Sequence, residues 1–501
     1  MAAASTQRHL LKILHRRIGD LAFFHCASTE QRNARPFDEI PHKKGYPLIG
    51  TSIETVQNID SIHTFIWNRY KTLGPIFREK TVSFDMVYIG SEMAVEQLLR
   101  QESKYPQRTC LVPWTQYVID AGEAFGVSLA NHEDWYRIRR VVKRLVLNFN
   151  FIHKYTSDFN EVSRDFLDRL EHVRTEDNRI TGLDTELFHW ALESVCSLLL
   201  SRRLGCLSDK PDPELEQFID AVFGMFRATG KVLYYPPWFT KTFLPSKWNE
   251  FKSAFDTIFR IARKYVDEKV EERMTNVTNE EPGFLDHLLS DDRMTRLEVY
   301  ATLVELMAGA VDTTANVVQM ILYELSRNPR VQQKLYDEVT GVVPEGEFPS
   351  AAQLQNMPYL KAVIKETLRL TPIVHHVVRD LEKDMIILGY HVPAKTTVVV
   401  PLFVFGRQLS LFDDPETFRP ERWLRGTINQ DKESRKPYLA FGFGTRMCIG
   451  RRVAELKIQV LIAQMVSRYK IEPVTMDPVV LKTELTLIPS EPINIRLIDR
   501  K

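Results

Sequence analysis

The chain has 501 residues, with 66 Lys plus Arg against 65 Asp plus Glu, 44% hydrophobic residues and five cysteines. A net charge of +1 gives no electrostatic footprint for nucleic acid, and the composition is that of a globular protein. Cys26, Cys110, Cys196, Cys206 and Cys448 are odd in number and form no CxxC pair, which excludes a disulfide scaffold, a zinc ribbon and a thioredoxin-type motif.

Charge is unevenly spread. Residues 1–35 hold six basic residues (Arg8, Lys12, Arg16, Arg17, Arg32, Arg35) and two acids (Asp20, Glu30), so +4; the rest of the chain sums to −3. Arg8, Lys12 and Arg16 recur every four residues on one side of a helix, with Leu10, Leu14 and Leu21 on another. This basic, acid-poor pattern is that of a mitochondrial transit peptide, with a frayed basic tail as the alternative. The longest apolar stretch here is Leu21 to Phe24, far below the ~20 residues that span a bilayer.

Beyond Pro36 a Pro- and Gly-rich loop precedes an expected strand pair, Ile76 to Ile89. From Glu92 to Asn328 the periodicity is mostly helical, with amphipathic stretches at Asp158 to Val173 and Phe251 to Met274. Val232 to Phe239 (VLYYPPWF) reads as an apolar, Pro-broken loop, either at a membrane surface or in the core. Thr275 to Gly283 reads as a surface loop. A long apolar helix is expected over Leu297 to Leu325, short β segments after Lys383 (MIILGYHV, TTVVVPLFV), and a helix over Arg451 to Tyr469. No linker separates independent units. The expected fold is mainly α with a small β region, one domain over residues 36–501 behind the transit segment.

One cysteine stands apart. Cys448 lies in Phe441-Gly-Phe-Gly-Thr-Arg446-Met-Cys448-Ile-Gly450, just before a helix. Glycines there permit a tight turn against a large planar group, and backbone N–H donors with the helix N-terminus stabilise a thiolate. This pattern, FxxGxRxCxG, resembles that of the cytochrome P450 family, the haem-thiolate monooxygenases, and the resemblance extends over residues 36 to 501. It implies haem b (iron protoporphyrin IX), with Cys448 as the iron ligand and Phe441 and Arg446 at the cofactor. Thiolate ligation favours O–O cleavage.

Further motifs carry the resemblance. Glu366-Thr-Leu-Arg369 alone is weak, since ExxR also occurs at Glu161, Glu171 and Glu176. Followed by Phe418-Arg-Pro-Glu-Arg422-Trp423, it implies a buried structural network of Glu366, Arg369 and Arg422. In Ala308-Gly309-Ala310-Val311-Asp312-Thr313-Thr314 the resemblance implies a helix distortion over the haem, with Gly309 giving room for dioxygen. It implies that Thr313 hydrogen-bonds at the oxygen site and that Asp312 relays protons with water, an acid–alcohol pair suited to neutral pH. Ala310 departs from the more usual second Gly. Trp135 and Arg139 match a propionate-binding WxxxR helix, and Arg379 a further propionate position.

Lys361, Lys365, Arg451 and Arg452 are either ordinary surface charge or a docking patch for an acidic electron carrier. Their pattern resembles the animal mitochondrial class. This implies an adrenodoxin-like [2Fe–2S] ferredoxin fed by an NADPH-dependent ferredoxin reductase, and a site on the matrix side of the inner mitochondrial membrane with peripheral membrane contact. Within the class the likeness runs to vitamin D 24-hydroxylase-type and related sterol hydroxylases, carried by Tyr105-Pro-Gln-Arg108, Pro113-Trp114, SRNPRVQQKLYDEV and Met447 to Leu456. The expected reaction is O2-dependent hydroxylation of a lipophilic sterol or secosteroid. Rival readings are a xenobiotic oxidase of the same class and a haem-thiolate sensor or isomerase. Pocket candidates by position are Leu111, Val112, Trp114, Phe226, Val374, His375, His376, Leu487 and Ile488. His375 and His376 depart from the apolar stretch expected there; they either bind a sterol hydroxyl or face solvent.

Overall fold

The structure, a computed structural model, describes residues 34–108, 111–275, 281–424 and 438–500. The transit-type segment up to residue 33, Cys26, Cys110 and most of the Thr275–Gly283 loop lie outside these.

The molecule is organised around the helix Arg296–Arg327. Its start is fixed by a capping box: the Thr295 hydroxyl accepts from Glu298 N and the Glu298 carboxylate from Thr295 N. It packs against Leu183–Leu199, a helix buried on all sides from Glu186 onward, as its near-continuous apolar sequence requires. Pro213–Val232 and Pro245–Thr275 pack along one another, and Arg451–Arg468 rests on Thr156–Val173. One large apolar cluster runs through these helices, and a second fills the β region.

Among the described residues eleven strands form four small sheets. β1 (Ile76–Lys80), β2 (Asp85–Ile89), β4 (His376–Asp380) and β7 (Thr397–Pro401) make a four-stranded sheet in the order β1-β2-β7-β4. β2 and β7 run parallel and the outer pairs antiparallel. β5 (Met385–Ile387) and β6 (Tyr390–Val392) form a hairpin whose two turn residues, Leu388 and Gly389, both have positive φ (48° and 79°), as a two-residue primed turn demands. β9 (Leu481–Thr483) and β10 (Leu487–Pro489) form another hairpin. β3 (Arg179–Ile180), β11 (Ile495–Asp499) and β8 (Tyr469–Pro473) complete the set.

Two sequence expectations are corrected. The run after Pro401 turns into a short helix, Leu402–Phe405, because Pro401 ends the ladder and sits at the helix N-cap. Val232 to Phe239 is not one loop: Val232 ends a helix and Pro237, at the first helical position, starts Pro237–Phe243. Its apolar residues divide accordingly, with Val232 and Leu233 buried, and Trp238 and Phe243 63% and 61% exposed. Among the described residues no helix is long and apolar enough to cross a membrane.

Candidate active site

Cys448 sits in a turn that closes when Cys448 N donates to Phe441 O at 2.8 Å. Gly444 has φ 64°, and a Cβ there would collide with the Glu102 carboxylate, so only glycine fits. Glu102 accepts from Thr445 N and pairs with Arg379 at 2.7 Å, locking the loop to β4. Burial pushes the Cys448 thiol up; the Gly450 N–H and the charges of Arg139 and Arg108 pull it down. Yet Cys448 keeps accessible surface, unlike Cys196 and Cys206, which are sealed in the core.

Trp135 projects from the helix His132–Val146 and is 1% exposed, held between two guanidiniums: Arg446 lies 4.0 Å and Arg139 5.4 Å from its ring. Arg139 donates to Met447 O, next to the cysteine, and burial lowers its pKa to about 10. Arg446 donates to Pro106 O, Ala130 O and Asn131 Oδ1. The indole Nε1–H of Trp135 has no acceptor among the described residues. A buried donor left so costs roughly 1–3 kcal/mol. A carboxylate from a cofactor would satisfy it, flanked by two cations and beside the thiol. Arg379 differs: Nε bonds Glu102 and Nη2 bonds Phe443 O at 2.7 Å, so its charge is already countered within the chain.

On the central helix Gly309 is exposed although its neighbours Met307, Ala308, Val311 and Asp312 are buried, and a Cβ on it would meet nothing within 4 Å. Open space therefore borders the middle of a core helix. Thr313 donates to Gly309 O at 2.7 Å. The helix Arg296–Arg327 continues through this point, and a threonine back-bond to the i−4 carbonyl is of the kind that often bends helices.

Successive helical residues point ~100° apart, and Asp312 faces away from Thr313 into the core. It accepts from Thr486 Oγ1 at 2.9 Å and from Asn316 Nδ2 at 3.1 Å. Burial pushes its pKa up to about 7, with the Thr486 hydrogen bond opposing. Among the described residues no hydrogen bond joins Asp312 to Thr313.

Glu366 is completely buried. Arg369 reaches it by two bonds of 2.9 Å and Arg422 by one of 2.8 Å. Trp423 Nε1 and Arg419 N complete the carboxylate at 2.8 and 2.9 Å.

The four proximal cations do not share one cluster. Lys365 and Arg451 flank the Tyr438 ring at 5.8 and 5.5 Å, Lys361 lies one turn away, and Glu455 pairs with Arg451 at 3.0 Å. Burial lowers both lysine pKa values. Arg452 instead donates to Leu147 O at the end of the His132–Val146 helix.

The pocket candidates form two walls. Trp114 and Phe226 meet edge-to-face at 6.3 Å, and Trp114 Nε1 bonds Thr229; Leu111 is partly buried beside the same core and Val112 follows it at the start of a helix. Val374, His375 and His376 join Leu487 and Ile488, since Leu487 N donates to Ile373 O. The β9–β10 tip links the walls: Glu484 lies against Gly230. Leu487 is fully buried and Val374 is 44% exposed. His375 is buried, 7% exposed, whereas His376 is partly exposed on β4; burial lowers the His376 pKa to about 4 and that of His375 well below its ordinary value. Sequence reading missed Glu102, Asn316, Thr483 and Thr486, partners contributed by distant segments or lacking a motif, and it gave no role to Trp423 although the motif contains it.

Comparisons with known proteins agree with this geometry. The cytochrome P450 family model matches residues 40–497. The mouse mitochondrial 1,25-dihydroxyvitamin D(3) 24-hydroxylase is 34% identical over 95% of this chain and 92% of its own. The mouse mitochondrial sterol 26-hydroxylase is 34% identical over 85% of this chain and 82% of its own. The mitochondrial cholesterol side-chain cleavage enzyme of Hypanus americanus is 34% identical over 86% and 83%. Family match and site chemistry converge: the chain belongs to the cytochrome P450 family, the haem-thiolate monooxygenases.

Proposed function

We propose that this protein is a mitochondrial monooxygenase that hydroxylates a C–H bond of a sterol- or secosteroid-like substrate, using O2, haem b and electrons from a [2Fe–2S] ferredoxin served by an NADPH-dependent reductase. The observation that carries it is the accessible Cys448 thiol beside the acceptor-less Trp135 Nε1–H, in a chain a third identical along nearly its whole length to sterol and secosteroid hydroxylases.

Thiolate-held haem supplies the oxygen activation. The chain's residues do the rest. Cys448 binds iron, and Trp135 with Arg139 and Arg446 holds a propionate. Arg379 and Glu102 keep the Cys448 loop in register. Gly309 leaves space against the helix, and Thr313, its hydroxyl proton given to Gly309 O, offers oxygen lone pairs toward that space. Asp312 stores a proton behind the helix at Oδ1 or Oδ2 near neutral pH. Lys361, Lys365 and Arg451 attract an acidic carrier. Trp238 and Phe243, exposed together with Lys241 nearby, suit contact with a membrane surface on the matrix side of the inner membrane.

Reduction under carbon monoxide tests the ligand: wild type shows the red-shifted thiolate Soret band and Cys448→Ala loses it. Turnover supported by a ferredoxin system but not by a microsomal flavoprotein reductase supports the class. Saturable spectral shifts from unrelated drugs alone, with none from sterols or secosteroids, would sink the substrate assignment in favour of a xenobiotic oxidase.

A further inference from the structure

Three acids of the central helix, Glu298, Glu305 and Asp312, recur every seven residues and so share one side of it. Each accepts from a different segment. Glu298 pairs with Arg137 at 2.6 Å, and Asp312 bonds Thr486. Glu305, one turn before Gly309, has no part in the site described above. Its Oε1 accepts from Gly126 N at 3.0 Å and its Oε2 from Ser128 N at 2.6 Å.

Both donors are backbone amides in the loop between the helices Val112–Ala121 and His132–Val146. Amides outside a helix or ladder need an acceptor when buried, and one carboxylate with two oxygens serves both. Gly126 permits the approach: a Cβ there would stand 2.6 Å from the Glu305 carboxylate and 2.8 Å from the Ala301 carbonyl carbon. Burial pushes the Glu305 pKa up to about 7, while the Ser128 and Gly126 N–H groups and the Arg108 charge pull it down, so the clasp itself favours the ionised form.

The far end of the same loop is tied to the residues around Cys448. Arg446 donates to Ala130 O and to Asn131 Oδ1. Arg108 donates to Ser128 O at 2.8 Å, and its charge also favours the Cys448 thiolate. Asn131 immediately precedes the helix that carries Trp135 and Arg139. Val127 and Ala130 are buried, and Phe125 and Leu129 rest on the main apolar cluster. The loop therefore bridges the propionate cradle and the helix turn that leads to the open space at Gly309.

We propose that Glu305 is a positioning residue: its carboxylate holds the 122–131 loop against the central helix and thereby limits the size of ligand that fits beside Gly309. The proposal rests on the haem-thiolate assignment and not on the sterol reading.

Two readouts test it on the holoenzyme without any sterol. One is hydrogen–deuterium exchange of the backbone at residues 126–129. The other is the affinity ratio of 4-phenylimidazole to imidazole, read from the Soret shift that each gives on binding iron. Glu305→Gln keeps the side-chain size but has one acceptor oxygen and turns an NH2 toward the second amide. It should speed exchange at 126–129 about tenfold, the scale of one lost hydrogen bond. It should also shift the ratio about tenfold toward the bulkier azole, the scale of a changed fit around a methylene or two. Gly126→Ala drives the loop off the same carboxylate and should move both readouts in the same direction. Arg137→Gln cuts the neighbouring tie to Glu298 and should move neither. The carbon monoxide band certifies that each variant holds haem through the thiolate. Wild-type exchange at 126–129 in Glu305→Gln overturns the clasp. Faster exchange with an unchanged azole ratio overturns the positioning role, as does an equal shift from Arg137→Gln. Absence of sterol turnover removes the sterol reading alone, and an unmoved azole ratio removes this inference alone.

Discussion

Thr486 donates a 2.9 Å hydrogen bond to Oδ2 of Asp312, joining the turn between β9 and β10 to the middle of the central helix. The acid beside Thr313 is thus held from behind by a hairpin 174 positions away in sequence. Thr486→Val removes a hydroxyl donor that favours the charged carboxylate, so the Asp312 pKa should rise further. Turnover should fall about tenfold, less than the ~10²–10⁴ of a complete acid–base contribution. Product and hydrogen peroxide measured per NADPH check it: peroxide should take the larger share in the variant.

The raised pKa of Asp312 has a consequence for stability. Its folded value is about 7, against an ordinary value near 3.8. Below pH 4 both folded and unfolded chains are protonated and no penalty exists. As pH rises from 4 to 7 the unfolded chain releases its proton first, so stability falls; above 7 the penalty is constant. The bound is about 4 kcal/mol. Asp312→Asn should therefore gain stability relative to wild type as pH goes from 4.5 to 7.5. Chemical denaturation of both proteins at the two pH values reads this, and equal differences at both would contradict it.

Glu366 accepts five hydrogen bonds from four residues, and its two guanidinium partners are 5% exposed. Glu366→Gln keeps shape but leaves two buried cations without a counter-charge. The expected loss is about 3–5 kcal/mol, together with loss of haem during purification. Trp423→Phe removes one charge-assisted bond and should cost about 2 kcal/mol. Urea titration of the holoenzyme ranks the two.

Much of this was legible in the sequence, for definable reasons. The central helix and the strand pair β1–β2 announce themselves through apolar periodicity, and Cys448 through glycines at fixed spacing. Glu366 and Arg369 lie one turn apart, so a local motif reports them. Glu102 with Arg379, and Thr486 with Asp312, pair across 277 and 174 positions, and nothing local marks Glu102 or Thr486. The resemblance implied a relay of Asp312 and Thr313; the direction of each side chain, Asp312 toward Thr486 and Thr313 toward Gly309 O, was not legible from the motif. Likewise Arg451 and Arg452 are neighbours in sequence, yet one joins the Tyr438 cluster and the other reaches Leu147 O.

That divergence makes the docking patch testable. Lys361 Nζ rests on Gln355 O at the surface edge of the cluster. Lys361→Glu should raise the KM for a [2Fe–2S] ferredoxin about tenfold at low ionic strength, with the difference shrinking in 0.3 M salt as charges are screened. Arg452→Glu should change KM less and lower thermal stability, since its guanidinium ties two helices together. Steady-state titration with ferredoxin at two salt concentrations separates these outcomes.

Lys457 is 1% exposed, and its Nζ has one long bond, 3.3 Å, to Ala310 O, with the Trp190 ring 5.6 Å away. No carboxylate pairs with it among the described contacts, and burial lowers its pKa to about 7. The sign follows from its being a base with a depressed folded value. Above pH 10.5 both states are neutral and stability is undiminished. As pH falls from 10.5 to 7 the unfolded chain gains its proton first and stability drops; below 7 the deficit is constant, at most about 5 kcal/mol. Lys457→Met keeps the length and the packing against Trp190 without an ionisable group. It should be more stable than wild type by about 2 kcal/mol at pH 6 and nearly equal at pH 10. Urea melts at both pH values measure the gain. A loss at pH 6 would mean instead that the bond to Ala310 O holds the central helix in place.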